Sequence, residues 1–578
     1  MLKVKLYRQW INQLLYVNNS ILLVFWTIIG GILRFTNLGA KSPWTDEFAT
    51  MVFSLGNDFR SVPLNQLISL DTLLQPLQFN TNAGISSVIS LLLEEDNHPP
   101  LYFVINHLWI GLLSHLGVVE NIDITIMRIL PAFFGVLSIP GIYILSSISF
   151  RSRLAGQISA SLMAVSPYGI YLAQEARHYT FATLFVIASL LCLVVAIRKI
   201  KEESVIPYWL VLVWLLVNSI GLSIHYFFCL TLISEIITLI FLYNIQPHEK
   251  LSTLKRKNYY RIFLVIIGTF CTGLMWLLII IPKGYGNDMI SWIHPVNNVL
   301  YFISPPFQLL AVWIPMISLL PVESSSIPIV ILSGLILLLF LIFLVSYILQ
   351  EVKIGLRDKK FSLPLIVLIS FISGVIGIFL TITYLARLDL TRGARYSFTY
   401  FPAVIAVLGG ILSIPWHSNS EHKLSKIYSI ILLNRKMGFY IVWIMGLLGS
   451  ITVLLNLGYQ KYYRPEQFVD IFQRTVSHDA VIVTTHQSLV QTGEMMGIGL
   501  ELQNNQKPTN TSFLLIDKNS KDYPQEAETL QTIVENTKEP LEVWTVNFKD
   551  PIKLKNCSLD TKKYPHIDGY HYERYICN

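Results

Sequence analysis

The chain has 578 residues, 53% hydrophobic and only 14% charged, with a formal net charge of +7. Soluble domains carry about 25% charged residues, and the mean hydropathy here is +0.54, so an ordinary water-soluble globule is excluded and a polytopic membrane protein is implied. The charge is uneven: residues 1–456 hold 30 Lys/Arg and 20 Asp/Glu, residues 457–578 hold 13 and 16, and this mildly acidic tail lacks the basic face that nucleic-acid binding needs.

In chain order, MLKVKLYRQW leads into an apolar run with no small-residue cleavage site, which reads as an uncleaved first span over 14–34. A long loop, 35–127, follows. Further apolar segments long enough to cross lie at 129–150, 154–172, 179–197, 207–224, 226–243, 262–281, 327–349, 363–384, 397–414 and 438–456. The stretches 100–117 and 305–320 are also apolar, and the positive-inside rule arbitrates their placement. With the N-terminus inside and both stretches on the surface, the inner connectors carry 21 Lys/Arg. The short outer loops then carry five: Arg177, Lys283, Arg387, Arg392 and Arg395. Letting 100–117 cross would turn RSR (151–153), RKIK (198–201) and KLSTLKRK (250–257) outward. The expectation is an integral inner-membrane protein of eleven spans, N-terminus cytoplasmic and C-terminus extracytoplasmic, with 100–117 as an interfacial helix. No fixed-period repeat is visible.

After 457 the pattern becomes that of a small α/β domain. RPEQFVDIFQRTV (464–476) and YPQEAETLQTIVENT (523–537) read as helices. AVIVTTHQ (480–487), SFLLID (512–517) and LEVWTVNF (541–548) read as buried strands. The chain has five cysteines and no CxxC, so a thiolate metal site is not indicated. Cys557 and Cys577 are the two in the tail, and an oxidising outer compartment permits a bridge between them. Cys192, Cys229 and Cys271 fall in spans and read as packing residues.

Sorted by side, the outer face receives TDEFAT (45–50), NHPPLYF (97–103), QEARHYT (174–180), IHYFF (224–228), WIHP (292–295) and LTRGARYSFTYFP (390–402). The inner face receives Lys/Arg-rich connectors. Each motif has an ordinary reading. Asp46 and Glu47 suit a helix start after Pro43, His98-Pro99-Pro100 suits a stiff turn into a helix, and arginines at span ends anchor to headgroups. Their coincidence on one side points instead to an outward-facing site. Arginine and histidine beside a bilayer can hold a phosphate or pyrophosphate, and a nearby carboxylate can take a proton from an attacking hydroxyl or amine.

PWTDEFAT after the first span, HPPLYF late in the first loop, QEARHYT after the third span and RGARYSFTYFP entering a late span resemble the family 39 glycosyltransferases of the GT-C fold. That group includes protein O-mannosyltransferases and bacterial aminoarabinose transferases. The resemblance covers roughly residues 14–456 and implies a transmembrane domain over 1–456 with an extracytoplasmic domain over 457–578. It implies a polyprenyl-phosphate sugar donor, a lipid, glycan or protein acceptor, and inversion at the anomeric carbon. By it, Asp46 is the general base. Glu47 supports the acceptor site or a divalent cation, and His98 lies near the reacting centre. Arg177, with His178 and Tyr179, and the Arg392/Arg395/Tyr396 group bind the donor and neutralise its phosphate. Protein mannosyltransferases continue His-Pro-Pro with Leu-Gly-Lys, whereas this chain has Leu101-Tyr102-Phe103, which favours the lipid or polysaccharide branch. The runner-up readings are a transporter or flippase of lipid-linked sugars, which needs ionisable residues at mid-span and has only Glu235 as a clear one, and a non-catalytic membrane scaffold.

The topology is directly testable. Reporter tags at residues 152, 255 and 425 are expected to read cytoplasmic, and tags at 60, 290 and 578 exterior. A cytoplasmic reading at 578 would overturn the eleven-span arrangement.

Overall fold

The computed structural model describes residues 2–96, 98–118, 122–245, 253–280, 293–294, 300–417, 435–505, 510–518, 526–536, 540–548 and 552–577, the side chains of 2–17, 280, 300 and 526 excepted. Lys283, Trp292 and Pro295 of the WIHP stretch, Asn97, much of the 244–261 and 415–437 connectors and both ends of the 523–537 helix lie outside the described residues.

The chain opens with α1 (Leu2–Phe35). The first loop folds into α2 (Thr45–Ser54), α3 (Leu70–Leu74), α4 (Ile85–Glu95) and α5 (Leu101–His115). Then come α6 (Ile124–Phe150), α7 (Arg153–Ala164), α8 (Pro167–Ala173), α9 (Tyr179–Lys201), α10 (Tyr208–Ile224), α11 (Phe228–Asn244) and α12 (Thr253–Ile280). They are followed by α13 (Leu300–Ile317), α14 (Ile327–Arg357), α15 (Ser362–Leu385), α16 (Phe401–Ser413) and α17 (Met437–Leu454). The tail runs α18 (Pro465–Thr475), β1 (Asp479–His486), α19 (Leu489–Asn505), β2 (Thr511–Asp517), α20 (Glu526–Glu535), β3 (Leu541–Val546), β4 (Cys557–Leu559) and β5 (Tyr572–Cys577). Two compact units result: residues 1–38 with most of 128–459, and residues 39–127 with 460–578.

The first unit is helical. Among the described residues seven helices are long and apolar enough to cross a membrane, and four shorter apolar helices accompany them. Their outer faces are apolar too: Phe270, Phe302 and Leu339 are 67%, 68% and 67% exposed, which water would not tolerate over such an area. The chain is a multi-pass α-helical membrane protein with a small five-stranded sheet domain. One expectation needs correction. The segment 154–172 is not one helix: Pro167 cannot continue α7, so the chain breaks at Val165–Ser166 and restarts as α8. Ser166 Oγ caps the new helix by accepting from Gly169 N (3.2 Å) and donates to Met316 O (2.9 Å), while Ser450 Oγ donates to the freed Val165 carbonyl at 2.7 Å. The stretch 305–320 falls largely in α13, which packs against α8 and α17 in the helical unit despite Pro305, Pro306 and Pro315.

Polar side chains tie these helices from within. Arg34 on α1 is fully buried, and its guanidinium donates to Gly30 O (3.0 Å), Met163 O (2.9 Å) and Ala164 O (3.1 Å), the last two being carbonyls that the end of α7 leaves without partners. Glu235 on α11 sits 2.7 Å from Ser189 Oγ, which lies 2.7 Å from Asn218 Oδ1 and accepts from Trp214 Nε1 at 3.3 Å. This interhelical network satisfies the mid-span carboxyl as packing polar groups do. Small residues let α7 and α16 close together: a Cβ at Gly409 would run into Ser159.

The second unit is built on one sheet, in the order β2-β1-β3-β5-β4. β1 pairs in parallel with β2 and β3, and β5 pairs antiparallel with β3 and β4. The three strands read from the tail are present; β4, β5 and the helix α19 are additional. Cys557 and Cys577 are bridged and face each other across β4 and β5. The first loop completes the unit. Ile68 exchanges both backbone hydrogen bonds with Phe513 (3.0 and 2.9 Å), and Asn65 N donates to Leu515 O (2.9 Å), so the loop covers the open edge of β2. On the far side, Arg574 grips the fully buried Glu542 through Nε and a terminal nitrogen (3.0 and 2.9 Å), with Ser477 and Trp544 also donating to the carboxylate.

Burial pushes the Glu542 carboxyl up, but the hydrogen bonds from Arg574, Ser477 and Trp544 outweigh it and hold the group below the usual carboxylate range. A depressed carboxyl stabilises above its ordinary value, about 4 for glutamate, and the contribution is lost as pH falls through the lowered native value. Amide-exchange protection of β3 and β5 should therefore persist to below about pH 4 in the wild type. Arg574→Met should cost about 3–5 kcal/mol by leaving a buried charge without its partner. Unchanged protection of β3 in the variant at neutral pH would overturn this account.

Candidate functional site

The motif residues fall into two groups, one in each unit. In the loop-and-tail unit, Pro43 and the extended Trp44 deliver the chain into α2. The N-cap position is Trp44, with no side-chain cap, and Asp46 and Glu47 lie one step inside, in the first turn. Neither carboxylate is therefore a cap. Both benefit from the positive end of the helix. Asp46 is half-buried, whereas Glu47 is fully buried, with Lys461 Nζ 3.9 Å from its Oε2. The same ammonium lies 5.2 Å from the centre of the Trp44 ring. A buried carboxylate needs such a counter-charge.

α2 is clamped at both ends and along one face. At its C-terminal end His107 Nδ1 contacts Ser54 O (2.8 Å) and Asn106 Nδ2 donates to Ser54 Oγ (3.2 Å), both from α5. Along the face, α19 presents Gly493 and Gly497. A Cβ at either would sit 3.6 Å from Phe48 atoms, and one at Gly499 would sit 3.1–3.2 Å from Leu70, Leu73 and Leu74. Gly499 thus lets α3 rest close against α19, while α2 meets Gly493 and Gly497 at ordinary contact distance. His98 enters from the turn before α5. Its Nδ1 lies 2.6 Å from Oδ1 of the nearly buried Asp96 carboxylate, which orients the ring. Nearby, burial pushes the Glu95 carboxyl above its usual value although Arg60 stands 3.3 Å away.

In the helical unit, QEARHYT forms the turn between α8 and α9. Gln174 Nε2 donates to Thr36 O (2.9 Å) and Thr180 Oγ1 to Pro131 O (2.9 Å), pinning the turn to the ends of α1 and α6. Arg177, His178 and Tyr179 are all buried. His178 lies 4.6 Å, centre to centre, from His225, which is 5.0 Å from Phe398 and 6.3 Å from Tyr396. Tyr168 Oη donates to the carbonyls of Ala394 (3.0 Å) and Arg395 (3.2 Å), fixing the 3₁₀ turns that carry Arg392 and Arg395. Arg392 is exposed and Arg395 half-exposed. Arg177 and Arg395 each lie over a neighbouring tyrosine, Tyr179 and Tyr396, at 5.9 and 5.5 Å. The structure thus gathers Arg177, His178, Tyr179, Arg395 and Tyr396 into one cationic and aromatic cluster and adds His225 to it.

Lys461, Asp96 and the α19 glycines were not singled out from sequence. Asp96 carries a readable signal, two positions before His98, whereas Lys461 meets Glu47 only through the fold. Among the described residues no group of three or more His, Cys, Asp or Glu side chains could hold a metal ion.

No protein-family model matches the chain, and no curated protein matches it in sequence. Solved structures do. The chain is similar to ArnT from Cupriavidus metallidurans bound to undecaprenyl phosphate, at 10% identity and a TM-score of 0.48, with 98% of each chain covered. It is also similar to the archaeal oligosaccharyltransferase AglB from Archaeoglobus fulgidus, in complex with an inhibitory peptide and a dolichol-phosphate. There the identity is 11% and the TM-score 0.46, over 91% of this chain and 69% of that one.

The glycine contacts are testable by thermal unfolding of the full chain. Gly493→Ala should be tolerated, because its Cβ would meet neighbours at ordinary distance. Gly499→Leu should cost about 1–3 kcal/mol and expose the 39–127 loop to protease. An unperturbed Gly499→Leu chain would refute the close packing of α3 on α19.

Proposed function

We propose that this chain is an inverting membrane glycosyltransferase that moves a hexosyl or pentosyl group from a polyprenyl-phosphate donor to an acceptor at the outer face. The observation that carries the reading is the environment of α2: a half-buried Asp46 in the first turn, beside a Glu47 that is buried and paired with Lys461. Asp46 takes the proton of the acceptor hydroxyl or amine. The acceptor atom forms its bond to the anomeric carbon as the carbon–oxygen bond to the carrier phosphate breaks, and that electron pair leaves with the phosphate. Charge grows on the leaving group, so cations placed for it stabilise the transition state more than the ground state. Arg177 and Arg395, each over a tyrosine, and Arg392 supply that charge. His98, oriented by Asp96, and Glu47 serve the acceptor. The loop 35–127 and the tail 457–578 lie outside the cell, the orientation that the basic bias of the connectors favours.

Full-length chain in detergent, assayed for transfer from a polyprenyl-phosphate sugar, tests the reading. Asp46→Asn conserves volume and removes only the basic charge. It should lower transfer by about 10²–10⁴-fold with thermal stability unchanged, and Glu47→Gln should be milder. Arg395→Ala should weaken donor use more than Arg395→Lys, since the phosphate needs charge first and fork geometry second. A wild-type rate in Asp46→Asn would reduce the carboxylate pair to a helix start.

A further inference from the structure

At the opposite end of α9 from His178 lies a cavity of about 800 Å³ that the proposed chemistry does not use. Three separate connectors converge on it: the α6–α7 turn, the end of α9 and the α14–α15 turn. They bring Arg151, Arg198, Lys201, Lys359 and Lys360 to its wall, against the single carboxylate Glu202. Its remaining lining is largely apolar and includes Val194 on α9 with Leu363 and Val367 on α15.

The five cations are not equivalent. Arg198 donates to the carbonyls of Ile148 and Ser149, where α6 runs out of partners, and Arg151 pairs with Glu202. Both are partly committed to the fold. Lys201, Lys359 and Lys360 have no ion pair with a carboxylate among the described residues. Lys360 also lies 5.5 Å from the Phe361 ring, and burial holds its ammonium below its ordinary value although Asp358 opposes this. The positive-inside bias alone spreads basic residues along connectors. It does not require three connectors to aim them into one cavity with an apolar wall.

We propose that this cavity binds the headgroup of an anionic glycerophospholipid, its phosphodiester at Lys201, Lys359 and Lys360 and its acyl chains along α9 and α15. Basic pockets between transmembrane helices suit such headgroups. The apolar lining selects a lipid over a soluble phosphate. From Tyr179 to Lys201 the helix climbs roughly 33 Å, so this phosphate is distinct from the one assigned to Arg177 and Arg395.

Native mass spectrometry of the full-length chain in dodecyl maltoside, titrated with phosphatidylglycerol or phosphatidylcholine, tests the site. One phosphatidylglycerol should be retained in preference to phosphatidylcholine. Each lysine-to-alanine change should weaken it about fivefold, and K201A/K359A/K360A together about a hundredfold, with phosphatidylcholine binding unmoved. The matching arginine triple should keep the preference, which separates lost charge from lost fold. Equal retention of the two lipids, or an undiminished preference in the alanine triple, would overturn the proposal. So would displacement of the lipid by millimolar inorganic phosphate, which would make the site one for a soluble anion.

Discussion

The helical unit depends on Arg34. A guanidinium buried among apolar helices is tolerable only where acceptors are waiting, and the break at Ser166–Pro167 creates them: the last carbonyls of α7 have no helical partner and receive it instead. Space for it comes from glycine. A Cβ at Gly135 would stand 3.1 Å from the Arg34 side chain, and one at Gly169 3.2 Å from it. The broken helix, the buried cation and the missing side chains are therefore one arrangement. It fixes α8, and through α8 the turn that carries Gln174, Arg177 and His178.

The loop-and-tail unit solves a different problem. A short helix with two acidic residues in its first turn has little hold of its own, because isolated helices of ten residues are marginal. α2 is held from three directions instead, by α5 at Ser54, by the glycines of α19 along Phe48, and by Lys461 at Glu47. The buried ion pair does not serve chiefly as a source of stability, since such pairs nearly balance their desolvation. Its effect is positional. With Glu47 drawn inward, Asp46, one position earlier on the helix, points in a different direction and stays half-buried.

Much of this architecture is legible in the residues and some is not. Ten of the eleven expected spans each match one apolar helix, because runs of some twenty apolar residues have few other solutions. The eleventh, 154–172, misleads because its average hydropathy conceals Pro167, the one residue that decides its shape. The strands of the tail announce themselves by β-branched runs. α19 does not, since Gly493, Gly497 and Gly499 lower its helix propensity, and only Gly499 is explained by a helix lying close on it. In the candidate site, the motifs at 45–50 and 174–180 stand out by polarity against their surroundings. Lys461 does not, because the pairing exists only once the two ends of the chain have met.

That meeting has a consequence for biosynthesis. Residues 65–68 and the β2 strand they cover come from opposite ends of the message. At about 5–20 residues per second, the ribosome needs roughly 20 to 90 seconds between making Ile68 and making Phe513. For that interval the early segment has no edge to pair with, and for most of it α2 lacks Lys461 and the helix α19, which are made only shortly before β2. A product that ends before Lys461 would carry an α2 without the lysine that pairs with Glu47 and without the helix that packs along Phe48.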